Sequence, residues 1–388
     1  MKRDTTIVTA GRHPHDNHGI VNPPVYHAST VLMPNYAAVQ EAGKRGPGQV
    51  VYGRNGTPTT FAIQDAFCAL EGADLAVSCT SGKAAIVTAL MAFAKAGDHI
   101  LMTDSAYQPA RSYASGILAD YGVETTFYDP RIGAGIAGLI RPNTTIVYTE
   151  SPGSVTFEVQ DIPAIAEVAH KAGAVVINDN TWAAGYFFRP LEHGADVVIQ
   201  AGTKYIGGHS DIMLGLVGAK ADHADRLWKT FLALGNTSGP DDCYLAQRGL
   251  RTLGVRLERH HANGLKLAHW LRERPEVIAV LHPGLDDHPD HALWKRDFSG
   301  ASGLFSVLIK PVTDRQLAAM LDAMEFYGMG WSWGGYESLM VPSDVRAVRA
   351  AVPWTQEGQL LRIHAGLEDP DDLIADLAAG FDRLNGAA

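Results

Sequence analysis

A lysine, an aspartate, a tyrosine and a serine–glycine pair stand where apolar runs stop. Lys204 follows Val197-Val198-Ile199 and lies among small and hydroxyl residues in QAGTKYIGGHSD (200–211). A desolvated amine loses basicity and becomes a good nucleophile toward a carbonyl. Asp179 closes the run AVVIND, and a carboxylate there needs a partner, such as the cationic nitrogen of a ring. Tyr107 follows DHILMTDS and offers an aromatic face for stacking. Ser81-Gly82-Lys83 opens a helix whose free N–H groups suit an anion, and Gly82 lets that anion approach closely. Each feature also has a plainer use. Ser81 is a good N-cap, Asp179 could cap a helix, and Lys204 could snorkel out at a sheet edge. Taken together and in this order, with Lys204 25 residues after Asp179, they describe a site for pyridoxal 5′-phosphate.

The elements that must position these groups alternate. TTFAIQDAFCALEG predicts a helix ending at Gly72, and LAVSCTSG a short buried strand that stops at Ser81-Gly82. KAAIVTALMAFAKAG reads as a helix, DHILMTDS and TIVYTES as strands, DIPAIAEVAHKAG as a helix with an Asp N-cap, and AVVINDN and ADVVIQ as strands. Apolar runs separated by helices predict an α/β fold with a mostly parallel sheet covered on both faces. Ligands in such sheets gather beyond the carboxyl ends of the strands. Residues 1–55, rich in Pro and Gly, read as an N-terminal arm that reaches a neighbouring subunit, and 56–245 as a large cofactor domain. Residues 246–388 read as a smaller C-terminal α+β domain. There GLRTLGVRLERHHANGLKLAHWLRER predicts one long helix, GLFSVLIK a strand and DDLIADLAAGFDRL a closing helix.

Bulk properties narrow the partners. The 388 residues carry a net charge of −10 with no long basic run, so neither nucleic acid nor an anionic membrane is an expected partner. No apolar run approaches a membrane span and no signal-peptide h-region follows the N-terminus. Three cysteines without a CxxC pair predict a reducing, cytoplasmic setting. His13, His15 and His18 cluster in the arm and His260-His261 in the long helix, but no carboxylate pattern joins them, so no metal site is expected. Neither GxxxxGK[ST] nor a GxGxxG after the first strand is present, which argues against a P-loop or an NAD-binding fold.

Longer stretches carry a resemblance. YGRNGTPT (52–59), SGKAA (81–85), TDSAYQP (103–109), ESPGS (150–154), DNTWAAG (179–185), QAGTKYIGGHSD, RGLRTLGVRLERH (248–260), SWGGYESL (332–339) and LRIHAGLEDPDDLIADL (361–377) span nearly the whole chain. In these the sequence resembles the Cys/Met-metabolism family of pyridoxal phosphate enzymes, of the aspartate-aminotransferase-like fold type I. The resemblance implies that Lys204 carries the cofactor, with Thr203 and Ala201 beside it and Asp179 on the pyridine nitrogen. It implies Tyr107 stacked on the ring and Ser81, Gly82 and Lys83 on the phosphate turn. Tyr52 and Arg54 would reach the phosphate of a neighbouring subunit, in a homotetramer of site-sharing dimers. Arg362 would clamp the substrate α-carboxylate, with Ser332 and Trp333 in the pocket beside it.

The implied activity is carbon–sulfur β-elimination on an amino-acid thioether, from L-cystathionine giving homocysteine, pyruvate and ammonia, as in methionine biosynthesis. Trp333 with Tyr336 leans that way, because γ-acting relatives tend to be aliphatic at the Trp333 position. A γ-lyase or γ-synthase activity, or a silent regulatory binding protein on the same fold, are the other readings. Lys83, on the phosphate turn, departs from the usual uncharged residue, and Leu232 and Trp331 depart from familiar tyrosines, which leaves the substrate side chain open.

Overall fold

The computed structural model describes residues 1–387. Seven strands form the large sheet: β1 (Leu75–Cys79), β2 (His99–Thr103), β3 (Glu124–Tyr128), β4 (Thr144–Glu150), β5 (Val175–Asp179), β6 (Val197–Ala201) and β7 (Gly215–Ala219). Their order is β1-β7-β6-β5-β4-β2-β3. Only β7 runs against the rest, pairing antiparallel with β1 and β6. Strand side chains alternate between two faces. Val77, Ile100, Ile177 and Ile199 pack with the Gly82–Phe93 helix on one face. Ala76, Leu101, Val176 and Val198 pack on the other with the Pro58–Glu71 and Ile162–Lys171 helices. This two-faced burial is why the strands read as continuous apolar runs.

The helix ends follow the local chemistry. Thr60 Oγ1 accepts from Thr57 N at 2.9 Å at the start of the Pro58–Glu71 helix, and Gly72, at φ +79°, closes it. Asp161 accepts from Ala164 N at the start of the Ile162–Lys171 helix. Such a cap stabilises by about 1 kcal/mol.

Four further strands, β8 (Val277–Leu281), β9 (Leu304–Ile309), β10 (Leu339–Ser343) and β11 (Gln359–His364), form a second sheet in the order β10-β11-β9-β8, all antiparallel. The Pro370–Gly386 helix covers it through Leu373, Leu377 and Phe381.

Two expectations are corrected. The long helix over 249–274 is two helices, Pro240–Leu250 and Leu253–Arg272. They break because Gly249 lies on neighbouring backbone. A Cβ there would stand 2.3 Å from the Gly207 carbonyl oxygen, and Arg256 donates to Gly249 O at 2.8 Å. The start of the arm is also less extended than its composition suggests. Arg3–Thr9 is helical and packs on its own chain, with Ile7 3% exposed and Arg251 donating to Ile7 O at 2.6 Å. Further along, Ile20, Leu32 and Tyr36 are exposed.

A segment after β10 ties the two sheets together. Asp104, just beyond β2, accepts from Arg111 at 3.0 Å and from three successive amides, Ala350, Ala351 and Val352, at 2.9–3.1 Å. Arg349 donates to Glu158 at 2.6 Å and also to the Thr156 hydroxyl.

Candidate active site

The strand ends converge on a cavity of about 220 Å³ lined by Ser81, Gly82, Lys83, Tyr107, Asp179, Ala201, Thr203, Lys204, Trp333 and Arg362. Eight of these ten positions meet there because β1, β2, β5 and β6 all point their carboxyl ends to one edge, and the small sheet brings in Trp333 and Arg362. Ser332 joins them through its hydroxyl, which accepts from Lys204 Nζ at 2.7 Å. Tyr52 and Arg54 do not line this cavity. Arg54 donates to Leu232 O at 3.0 Å, and the Tyr52 ring is exposed on the surface. Leu232 packs against the core rather than the cavity, whereas Trp331 stands at the cavity mouth, 81% exposed.

Lys204 lies three residues past the end of β6, in a turn rather than on the strand. Its amide donates to Ala201 O at 3.0 Å. Burial, and secondarily the Arg362 charge, lower its pKa to about 8. Near neutrality the amine is therefore much closer to its nucleophilic form than an exposed lysine. The Trp333 ring lies 5.3 Å from Nζ.

Asp179 is 8% exposed, and burial raises its pKa. Both of its hydrogen bonds, from Thr181 N at 3.0 Å and Thr181 Oγ1 at 2.5 Å, fall on Oδ1. Tyr148 lies beside it without closing a well-formed hydrogen bond. Among the described residues, Oδ2 takes no donor. Glu150 is Asp179's direct neighbour across β4 and β5. Burial, then the Asp179 charge, push its pKa well up, while Tyr107 N donates to it at 2.7 Å. Tyr107 thus starts the Gln108–Ser115 helix anchored to a strand-end carboxyl, and burial raises its own pKa.

On the same cavity, Ser81 Oγ accepts from Ala84 N at 3.1 Å. The amides of Gly82 and Lys83 have no acceptor among the described residues, as expected of a helix's first turn. A Cβ on Gly82 would stand 2.6 Å from the Ala201 Cβ. Thr203 is tied to its own chain, donating to Leu214 O at 3.2 Å and accepting from Leu214 N at 3.0 Å. Arg362 donates through Nη2 to Gly330 O and Ser332 O at 3.2 and 3.0 Å. Among the described residues, its Nε and Nη1 have no acceptor.

Sequence reasoning missed part of the wall. Glu150, Pro152 to Val155 and Phe157, with Met213, line the cavity. Val155 and Phe157 hold φ of +68° and +56°, which costs about 1–3 kcal/mol each and persists only under outside constraint. Arg349 supplies it, gripping Thr156 and Glu158. The signal for Glu150 was a carboxylate closing TIVYTE, the same pattern that exposed Asp179.

The arrangement fits a phosphorylated pyridine aldehyde. Around one cavity it offers an unpaired carboxylate oxygen, free amides in a close-approach turn, an aromatic face and a lysine.

The profile of the Cys/Met metabolism PLP-dependent enzyme family matches residues 4–382. A cystathionine beta-lyase of Escherichia coli is 45% identical, covering 99% of each chain. An L-alanine/L-glutamate racemase of Wolbachia pipientis is 40% identical, covering 99% of this chain and 98% of its own. The crystal structure of a cystathionine gamma-lyase from Lactobacillus plantarum, complexed with L-serine, superposes with a TM-score of 0.90 at 30% identity, covering 99% of this chain and 100% of that one. The chain belongs to the Cys/Met metabolism family of pyridoxal 5′-phosphate-dependent enzymes, of fold type I.

Proposed function

We infer that this protein is a carbon–sulfur β-lyase that cleaves L-cystathionine to homocysteine, pyruvate and ammonia. The observation that carries the reading is the lysine–serine–arginine arrangement in the same cavity as the Asp179 carboxylate. Full-length identity to a cystathionine beta-lyase, higher than to the gamma-acting relatives, supports the choice of bond.

Pyridoxal 5′-phosphate, when bound, supplies an electron sink for negative charge at Cα. Asp179 Oδ2 would hold the pyridine nitrogen in its protonated form. Ser81, Gly82 and Lys83 would hold the phosphate at the helix start, with Ala201 and Thr203 below. The Tyr107 ring would cover the pyridine face. Arg362 binds the substrate carboxylate with its free Nε and Nη1, which orients the Cα–H bond toward Lys204. Lys204, held by Ser332, takes the Cα proton and returns it to the leaving sulfur as the Cβ–S bond breaks. Homocysteine departs, and the released aminoacrylate takes up water to give pyruvate and ammonia.

Racemisation begins with the same Cα proton and differs only in where that proton returns. The aromatic wall of Trp331 and Trp333 favours a substrate that reaches past Cβ. Tyr52 and Arg54, exposed and outside their own cavity, support a homotetramer of site-sharing dimers. In that assembly residues 1–55 act as an arm on a large domain (56–245) and a small one (246–388). A cytoplasmic location agrees with three unpaired cysteines.

The deciding experiment incubates the holoenzyme with L-cystathionine and with L-alanine. Pyruvate and homocysteine in equal amounts support the reading. 2-Oxobutyrate, or D-alanine formation without thiol release, replaces it.

A further inference from the structure

The loop that carries Ser332 and Trp333 touches the lysine turn through its next residue. Gly334 holds φ +87°, and a Cβ there would stand 2.9 Å from the Lys204 carbonyl carbon and 2.9 Å from Tyr205 N. The loop backbone therefore lies directly on the backbone of the lysine. His364, at the end of β11, is what holds it. The histidine is 1% exposed, and its Nε2 lies 3.1 Å from Gly334 N and 3.1 Å from Gly335 O. Nε2 serves one of these at a time: it accepts from the amide or donates to the carbonyl. Among the described residues Nδ1 has no partner, and the ring's polar contacts there all go to this loop.

The surroundings leave the imidazole little choice of place. Its ring lies 5.1 Å from that of His260 and 5.9 Å from that of Tyr205. Tyr205 follows Lys204 and meets Trp333 at 5.4 Å. His260 is fixed in turn by a contact with Ala365 O at 2.8 Å. Arg362 sits two residues earlier on the same strand, hence on the same face. One strand thus carries both the arginine that grips Ser332 O and the histidine that grips Gly334.

We propose that His364 is a positioning residue for Lys204: by pinning Gly334 onto the lysine's backbone, it sets where Nζ stands relative to Ser332 and Arg362. It does not line the cavity. This rests on Lys204 being the cofactor-bearing lysine, as proposed above.

The test compares the holoenzymes of His364→Ala, His364→Gln, Gly334→Ala and Lys204→Ala with the unsubstituted protein. Measured are kcat, KM, Tm and the pH midpoint of the visible cofactor band. His364→Ala is expected to lower kcat about tenfold and leave KM within about twofold, as misplacement of a reacting group does. It is also expected to move the band's midpoint by at least about 0.5 pH unit. Glutamine, whose amide reaches where Nε2 stands, restores most of both. Gly334→Ala reproduces the shift with the histidine intact. A lower Tm with unchanged kcat and midpoint overturns the proposal, as does a folded His364→Gln no better than His364→Ala. Should His364→Ala fail to fold, an unchanged midpoint in Gly334→Ala overturns it alone. A visible band that survives Lys204→Ala overturns the assignment of the lysine itself.

Discussion

The two sheets contribute to one cavity by different means. The large sheet presents its groups from turns that close on themselves. Asp179 is held by Thr181, two residues on, Ser81 caps Ala84, three residues on, and Thr203 bonds Leu214, eleven residues on. The small sheet's contributions are held across the chain. Ser332 meets Lys204 over 128 residues, Arg362 and His364 grip their loop over about 30, and Asp104 gathers amides about 246 residues away. The cofactor end is thus built from local chemistry. The substrate end depends on how the two sheets are fastened.

That contrast can be broken most severely at its meeting point. Lys204→Ala should lower kcat by about 10⁴-fold, the upper range for a positioned acid–base group, and abolish the visible band. Arg362→Lys should lower kcat/KM by about 10²-fold, because an ammonium cannot copy a planar fork. Cofactor affinity should hold in that variant, since nothing local to the large sheet has changed. Asp104→Ala should cost about 3–5 kcal/mol of stability, the usual penalty for stranding a buried partner such as Arg111. Thermal unfolding checks it, and KM should rise while the cofactor stays bound.

Two milder effects follow from protonation. Burial lowers the Lys204 pKa from 10.5 to about 8, so kcat should climb with pH, pass half its maximum near pH 8 and level off about one unit above. Glu71 ties Asn180, beside Asp179, to Gln200, beside Ala201, from a fully buried position. Burial lifts its pKa from 4.5 to about 7. Between those values the folded state binds more protons than the unfolded one, so stability falls as pH rises through that window. Glu71→Gln should flatten that slope, as denaturant titrations at pH 5 and pH 7.5 would show.

Much of the cofactor end was readable because its signals are local. A polar residue that closes an apolar run needs only the strand to place it, so Ser81, Tyr107, Asp179 and Lys204 stand out in one dimension. Glu150 obeys the same rule and was passed over although it lies in the quoted ESPGS. The small sheet offers no such signal. Arg362 and Ser332 came from resemblance, and His364 was visible only as the second residue after Arg362 on a strand. The break between the Pro240–Leu250 and Leu253–Arg272 helices depends on Gly249 meeting the 206–207 backbone, a tertiary contact that helical periodicity cannot carry.

The clamp at Asp104 has a consequence for how the molecule breathes. Residues 350–352 belong to no helix or strand, and such segments usually trade their amide hydrogens with water quickly. Here three neighbouring amides end on one carboxylate that is 2% exposed. Their deuterium uptake should be as slow as that of the strands, and it should quicken only when the two halves of the molecule part. Those three hydrogens are a built-in clock for separation of the sheets.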